Sequence, residues 1–169
     1  MEFRVPGPTN GEWFPHIELS LVGGGRLVLP DALAGHFGVV LIFCGSWCPY
    51  CNAQLAAFER ASRTLAGLDT RVAALSVDDE RATDALVATR HLRFPVGYGA
   101  NAKEIADSTG ADANADPVYL NSTGFVLAPD GTVLTAVHST GAIGRLMPED
   151  AAGFIRYVLS SFTKPQRKR

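Results

Sequence analysis

The chain has 169 residues, of which 47% are hydrophobic and 19% charged, and its formal net charge is −2. Such values are ordinary for a globular protein that buries a sizeable core, and the near-neutral charge gives no electrostatic basis for nucleic-acid binding. Three cysteines are an odd number for a secreted disulfide scaffold, and the N-terminus lacks the apolar core of a signal peptide. We therefore expect a cytoplasmic protein without nucleic-acid or membrane partners.

The first third of the chain predicts a hairpin followed by a buried strand. Residues 1–12 are rich in Pro, Gly and Asn, which indicates an irregular arm. Apolar residues alternate over 17–21 and 27–29 on either side of three glycines at 23–25, which predicts two strands joined by a glycine turn. Residues 39–44 are all apolar, a pattern typical of a fully buried strand in a parallel sheet.

The rest of the chain predicts alternating strands and helices. Gly45 and Ser46 end the buried strand, and Pro49 suits the first turn of a helix because its missing N–H would have no partner there. The later patterns predict, in chain order, a buried strand over 71–77, a helix to about His91, an extended piece over 94–98, a short helix over 102–108, a polar surface loop over 112–116, a hairpin over 124–137 and a final helix from Pro148. We predict one α/β domain over 13–160 and a short basic tail over 161–169.

Two cysteines occupy the predicted turn between the buried strand and the next helix. Free N–H groups and the helix dipole stabilise a thiolate there, and cysteines in such motifs have pKa values of ~3.5 to ~7.5 instead of ~8.5. Cys51 shares a helix face with Leu55 and Phe58 and points towards the core, whereas Cys48 lies at the helix mouth. The hypothesis is that Cys48 attacks and Cys51 resolves the mixed disulfide.

Other interpretations of the cysteines are a static disulfide or half of a zinc site. A structural disulfide is not expected without a secretory signal. Zinc needs a second pair of ligands, whereas the four histidines are scattered singly, so we predict no metal and no cofactor. Cys44 is predicted to be a small packing residue, with a third redox cysteine as the alternative.

The segment Trp47-Cys48-Pro49-Tyr50-Cys51 after a buried strand resembles the thioredoxin-like superfamily. The run from Trp13-Phe14-Pro15 to Arg145-Leu146 looks like its peroxiredoxin-like branch, the alkyl hydroperoxide reductase/thiol-specific antioxidant group. This resemblance implies a thioredoxin-like three-layer α/β fold, with a mixed central sheet flanked by helices and an N-terminal β-hairpin extension covering the sheet. It also places Cys51 at the position of the peroxidatic cysteine and Cys48 at that of a threonine.

The resemblance also suggests residues that contact a substrate. Ser122, followed by Thr123, stands where many members of the superfamily have a cis-proline. Arg145 is a candidate to replace the arginine that peroxiredoxins commonly place near the thiol. The full set of predicted contacts combines the motif, this position and the loop before the last helix: Trp47, Pro49, Tyr50, Ser122, Thr123, Ala142, Ile143 and Arg145.

Three functions remain open from the sequence. The first and favoured one is thiol–disulfide exchange by Cys48 and Cys51, with a protein or small-molecule disulfide as substrate and an external thiol as electron donor. The second is thiol peroxidase activity towards hydrogen peroxide or alkyl hydroperoxides with Cys51 as the peroxidatic residue. The third is a non-catalytic module whose disulfide state controls binding to a partner.

Overall fold

The computed structural model describes residues 6–163, with side chains as far as residue 161. Within these residues, nine strands and five α-helices follow one another, together with a short 3-10 helix at Asp31–Leu33. The strands are β1 (Ile17–Leu21), β2 (Arg26–Leu29), β3 (Phe37–Ile42), β4 (Thr70–Leu75), β5 (Val96–Tyr98), β6 (Ala113–Ala115), β7 (Val118–Leu120), β8 (Thr123–Leu127) and β9 (Val133–His138). The helices are α1 (Pro49–Arg60), α2 (Ser62–Gly67), α3 (Glu80–Arg90), α4 (Ala102–Thr109) and α5 (Pro148–Thr163).

Seven strands form one mixed sheet in the order β2-β1-β5-β4-β3-β8-β9. Strand β4 runs parallel to both β3 and β5, while β8 runs antiparallel to both β3 and β9. The parallel pairs follow from the strand–helix–strand connections, and the antiparallel pair β8–β9 follows from its tight turn. The predicted mixed α/β sheet with flanking helices is confirmed.

Strand β3 is an interior strand of this sheet, because β4 and β8 pair with its two edges. Residues Val39 to Phe43 are each 0% exposed, and alternate side chains enter opposite faces of the sheet. Val39, Leu41 and Phe43 pack in one core with α1, α2, α3 and α5, whereas Val40 and Ile42 pack in the other core with α4. A strand buried on both faces has no polar alternation, which explains why its sequence is continuously apolar.

Helix α1 begins at Pro49, as predicted, directly after the chain leaves β3. Cys48 is its N-cap residue, with an extended backbone, and the Cys48 Sγ accepts a hydrogen bond from the Cys51 N–H at 3.4 Å. The cap gives one of the otherwise unpaired N–H groups of the first turn a partner. The start of this helix therefore fixes both cysteines of the motif relative to β3.

Two predicted features are arranged differently in the structure. The N-terminal hairpin β1–β2 does not cover the sheet but extends it, because β1 pairs with β5 through Ser20 opposite Tyr98 and Leu21 opposite Gly97. The predicted polar loop over 112–116 instead contains β6, which pairs with β7 in a separate two-stranded sheet. Asn114 supports this hairpin by donating from Nδ2 to the Pro117 carbonyl.

The predicted arm and tail lie partly outside the described residues. Within the arm, the Gly11 N–H donates to the Val133 carbonyl, and the Val133 N–H donates to the Glu12 carbonyl, so this segment runs along the start of β9. At the other end, α5 continues to Thr163, and residues 164–169 are not described. The domain limits at 13 and 160 stay predictions.

Candidate active site

Three cysteines converge at the point where β3 leads into α1. Cys44 follows the end of β3, Cys48 caps α1, and Cys51 lies in the first turn of α1. Their Sγ atoms all lie within 4.8 Å of one another, and no disulfide links them. Cys44 is buried, as expected of a packing residue, but it also contacts the sulfur of Cys51, which the packing interpretation does not include.

Cys51 has the contacts of a stabilised thiolate. Its Sγ accepts hydrogen bonds from the Cys44 N–H at 3.3 Å and from Arg145 Nη1 at 3.2 Å. The pKa of Cys51 is lowered to about 5, and the largest cause is a further hydrogen bond from the side chain of Cys44. Arg145 and the Cys44 N–H also lower this pKa, whereas burial raises it. Cys51 is therefore a thiolate at neutral pH, although it is 0% exposed.

Cys44 takes the complementary role in this pair. Its pKa is raised, mainly because its thiol donates a hydrogen bond to Cys51 and secondarily because it is buried. A thiol that stays protonated next to a thiolate acts as a donor rather than as a second negative charge. The structure thus shows a contact between Cys44 and the sulfur of Cys51 that the sequence did not reveal.

Cys48 does not lie open to solvent, contrary to the prediction from the helical register. It is 4% exposed, close to the 0% of Cys51. The physical reason is its role as N-cap, which turns the Sγ back over the first turn towards the Cys51 N–H. The register correctly directed Cys51 into the core, but it carried no information on the side-chain direction of a residue just outside the helix.

Arg145 reaches the site from the loop between β9 and α5. Its Nη1 donates to Cys51 Sγ and lies 3.4 Å from the Gln54 Oε1, while Nη2 donates to the Ala142 carbonyl. The guanidinium also lies 6.0 Å from the centre of the Tyr50 ring. Arg145 Nε is buried and has no hydrogen-bond partner among the described residues, so one N–H next to the thiolate is free for a further acceptor.

Gln54 is a site residue that sequence reasoning missed. It lies one turn after Cys51 on α1, is 1% exposed, and donates from Nε2 to the Leu146 carbonyl at 2.8 Å. Its amide therefore connects the helix to the loop that carries Arg145. A polar residue on the otherwise apolar core face of α1 was the available signal, since buried polar groups require partners.

The loop that carries Arg145 is fixed by its own contacts and by close packing on β8. Ser139 is buried and donates from Oγ to the carbonyls of Gly141 and Ile143. Leu146 lies directly over Gly124 of β8, where a side-chain Cβ would come within 2.7 Å of the Leu146 Cβ. The absence of a side chain at Gly124 thus permits the close approach that brings Arg145 to Cys51.

Two further residues hold the turn between β3 and α1. Asp78 accepts a hydrogen bond from the Ser46 N–H at 2.7 Å, and Asn52 donates from Nδ2 to the Ser46 carbonyl at 2.9 Å. A Cβ at Gly45 would lie 2.3 Å from Trp47 Nε1, so glycine is required for the position of the Trp47 ring. The neighbouring Asp79 caps α3 by accepting a hydrogen bond from the Ala82 N–H.

The predicted substrate-contact residues separate into exposed and buried groups. Trp47, Tyr50 and Ile143 are 59%, 50% and 72% exposed, and Trp47 packs edge-on against Tyr119 with ring centres 5.1 Å apart. Pro49 and Ala142 are also exposed. We call Trp47, Pro49, Tyr50, Ala142 and Ile143 the apolar rim.

Ser122 and Thr123 do not belong to this surface. Each is 1% exposed, because Thr123 pairs with Ile42 of β3 on one side and with His138 of β9 on the other. Thr123 Oγ1 donates to the Asn121 carbonyl, and the Ser122 carbonyl accepts from the Ser139 N–H. The strand pairing therefore buries both side chains, and a direct contact of these two residues with a substrate stays a prediction.

A mixed sheet flanked by helices, with a stabilised thiolate at the helix that follows the buried strand β3, defines a thiol-based oxidoreductase on a thioredoxin-like fold. The family model described as the AhpC/TSA family matches residues 11–136, which is most of the chain. The chain belongs to the AhpC/TSA family, and it is an antioxidant thiol oxidoreductase. Peroxiredoxins use thiol reductants and peroxide substrates.

Solved peroxiredoxin structures share this fold. A mutant form of peroxiredoxin 6 from Arenicola marina superposes with a TM-score of 0.79 at 18% identity, covering 96% of this chain and 80% of that chain. AhpC from Mycobacterium tuberculosis has a TM-score of 0.76 at 20% identity, and the match covers 97% of this chain and 100% of that chain. The reduced 2-Cys peroxiredoxin of Plasmodium vivax has a TM-score of 0.77 at 14% identity, and the match covers 92% of this chain and 99% of that chain. The predicted peroxiredoxin-like branch of the thioredoxin-like fold is confirmed.

No curated protein sequence matches the chain significantly. Among the residues that the structure describes, no helix is both long and apolar enough to cross a bilayer.

Proposed function

We propose that the protein reduces hydrogen peroxide or alkyl hydroperoxides, with Cys51 as the attacking thiolate and Cys48 as the resolving thiol. The observation that carries this proposal is the contact of Arg145 with Cys51, because it places a fixed cation against a sulfur whose pKa is lowered to about 5. The roles differ from those expected from the sequence, where Cys48 attacks. Stabilisation of the anion, not exposure, distinguishes the two sulfurs.

The reaction proceeds in three balanced steps. The Cys51 thiolate attacks one peroxide oxygen, the O–O bond breaks, and the departing oxygen takes a proton, which leaves Cys51 sulfenic acid and water or an alcohol. The Cys48 thiol then displaces water from the sulfenic acid and forms a Cys48–Cys51 disulfide. An external dithiol or two monothiols reduce this disulfide and are themselves oxidised to a disulfide.

Arg145 has two tasks in the first step. Its Nη1 hydrogen bond holds the Cys51 sulfur as an anion. Its unpartnered Nε–H is available to a peroxide oxygen, whose negative charge grows as the O–O bond breaks. Gln54 and the Ala142 carbonyl fix the guanidinium, so the donor is in place before the reaction begins.

The burial of both sulfurs favours a small substrate. Cys48 is 4% exposed and Cys51 is 0% exposed. A peroxide needs only a narrow opening to reach such a sulfur, whereas a protein disulfide has to align its two sulfur atoms with that of the attacking thiolate at the surface. The burial of both sulfurs therefore supports peroxide reduction over attack by Cys48 on a protein disulfide.

Thiol–disulfide exchange on an external substrate is the second candidate, and the apolar rim favours it. Trp47, Tyr50 and Ile143 surround the motif and expose large apolar side chains, which are typical of surfaces that bind another protein. In the peroxidase cycle, the same rim is the docking surface for the thiol reductant.

The test is rapid mixing of the reduced protein with hydrogen peroxide, followed by tryptophan fluorescence and intact mass. We expect oxidation far faster than that of a free thiolate, a loss of two hydrogens in the wild type, and a dimedone-trapped sulfenic acid on Cys51 in Cys48→Ser. Cys51→Ser should not react. Trapping of the sulfenic acid on Cys48 in Cys51→Ser at the wild-type rate would refute the assignment.

A disulfide-reductase assay separates the two candidates. If exchange is the main reaction, Cys48→Ser abolishes reduction of a protein disulfide, and Cys51→Ser accumulates a mixed disulfide through Cys48. If peroxide reduction is the main reaction, the wild type reduces protein disulfides no faster than dithiothreitol does. Slow peroxide oxidation combined with fast disulfide reduction would therefore reject the proposal in favour of the second candidate.

A further inference from the structure

The three cysteine sulfurs form a compact group that the peroxidase cycle does not need. That cycle requires two sulfurs, yet Cys44, Cys48 and Cys51 all place their Sγ atoms within 4.8 Å of one another. The three side chains come from two elements that pack together, the end of β3 and the first turn of α1. From this geometry we infer that the reduced protein binds one soft d10 metal ion, Cu(I), through all three thiolates.

The sulfur separations suit a trigonal site. Three sulfurs around one ion with metal–sulfur bonds of ~2.3 Å lie ~4.0 Å apart. The observed limit of 4.8 Å therefore requires only small side-chain movements to close around an ion. The ion replaces the thiol protons, which pass to solvent, and no electron transfer takes place.

The number and kind of ligands select Cu(I). Within the described part of the chain, no histidine or carboxylate joins the three cysteines in this group. Zinc in structural sites takes four ligands almost without exception, whereas soft thiolates favour Cu(I). The side chains of Cys44, Cys48 and Cys51 are 3%, 4% and 0% exposed, which disfavours water as an additional ligand.

Groups around the sulfurs stabilise the negative charge of such a complex. Three thiolates and one Cu(I) carry a net charge of −2, and Arg145 contributes one positive charge at 3.2 Å from Cys51 Sγ. The backbone N–H groups of Cys44 and Cys51 donate to Cys51 Sγ and Cys48 Sγ. Hydrogen bonds to ligand atoms orient the ligands and tune the metal, as in other protein metal sites.

The experiment is an anaerobic titration of the fully reduced protein with Cu(I), in competition with the chelator bicinchoninate. We expect one ion per chain by native mass spectrometry and three Cu–S contacts by X-ray absorption. Cys44→Ala should lower the affinity by at least about 100-fold, which exceeds the usual effect of a change outside the ligand set. Ser46→Ala is the matched control, because it changes the same loop and keeps all three thiols.

The decisive variant is Cys44→Ala, which retains both cysteines of the motif. Equal affinity for this variant and the wild type, with two Cu–S contacts in each, would overturn the proposal and assign the ion to Cys48 and Cys51 alone. Two or more ions per chain, or no binding in competition with the chelator, would overturn it as well. A cooperative unfolding transition of Cys44→Ala in urea shows that this variant folds, so a loss of binding is not a loss of structure.

Discussion

Cys44 and Cys51 show how one hydrogen bond changes two neighbouring cysteines in opposite directions. The thiol of Cys44 donates to the sulfur of Cys51, which lowers the pKa of Cys51 and raises that of Cys44. Burial raises the pKa of both, and the guanidinium of Arg145 compensates for this at Cys51. The two sulfurs therefore enter the reaction with different charges although they lie side by side.

The pH dependence of peroxide oxidation follows from the pKa of Cys51. Its value in the folded protein, about 5, lies below the ordinary 9.0, so the reactive thiolate is present above pH 5 and is lost as the pH falls through 5. In Cys48→Ser, we expect the oxidation rate to rise about tenfold per pH unit below 5 and to be constant above about pH 6. Stopped-flow measurements from pH 4 to 9 test this. A rate that still rises steeply between pH 7 and 8 would contradict it.

Arg145 is expected to control the rate rather than the fold. Arg145→Gln removes the cation from Cys51 and the spare N–H from the peroxide site, so the oxidation rate should fall by about 10²-fold, as when one preorganised donor is lost. The matched control is Arg156→Gln on the exposed side of α5, which should keep the wild-type rate. Equal rates for all three proteins would exclude the proposed role of Arg145.

At the scale of secondary-structure elements, the contact of β8 with the loop before α5 determines the site geometry. Gly124→Ala would place a Cβ 2.7 Å from that of Leu146, so the loop has to move. We expect a loss of stability of roughly 1–3 kcal/mol from overpacking and slower oxidation of Cys51, because Arg145 moves with Leu146. Chemical denaturation and stopped-flow fluorescence measure the two effects.

Gly153→Ala is the control for this substitution. Gly153 lies in α5, and nothing surrounds the position of its Cβ within 4 Å, so alanine there should stabilise the helix by about 0.5–1 kcal/mol. If Gly124→Ala behaved like Gly153→Ala in both measurements, the close approach of Leu146 would not control the position of Arg145.

Local sequence signals predicted the parts of the site that lie close together in the chain. The apolar run of β3 and Pro49 at the first turn of α1 predicted the strand, the helix and the turn that carries the cysteines. Contacts between distant segments could not be predicted in this way. Arg145 is 94 residues from Cys51, and tertiary contacts such as the packing of Leu146 on Gly124 and the hydrogen bond from Gln54 to the Leu146 carbonyl bring the two together.

The same limit explains the errors in the predicted fold. The alternating pattern of the N-terminal hairpin predicted two strands. Such a pattern does not say which strand of the main sheet the hairpin pairs with, and in the structure β1 pairs with β5. The burial of Ser122 and Thr123 follows from pairing with β3 and β9. Both residues were predicted from the resemblance, which places them by sequence position and carries no information on how the neighbouring strands of this chain bury them.

At the scale of the whole molecule, the reactive groups depend on elements of one core. Cys44 follows β3, Cys51 belongs to α1, and the loop of Arg145 packs on β8. Strand β3 is paired on both edges and buried on both faces, so it belongs to the part of a protein that opens only with global unfolding. The first turn of a helix opens at a lower free-energy cost, because helix ends fray.

The position of Cys44 beside this strand makes each cysteine a probe of a different opening reaction. A bulky maleimide modifies a buried thiol only while the surrounding structure is open, so its rate of reaction measures the free energy of that opening. We expect the free energy of opening obtained from the labelling of Cys44 to equal the free energy of unfolding found by urea denaturation. Cys48 should be labelled faster, because the first turn of α1 frays. Mass spectrometry of the labelled peptides distinguishes the two, and equal labelling rates would mean that β3 and the start of α1 open together.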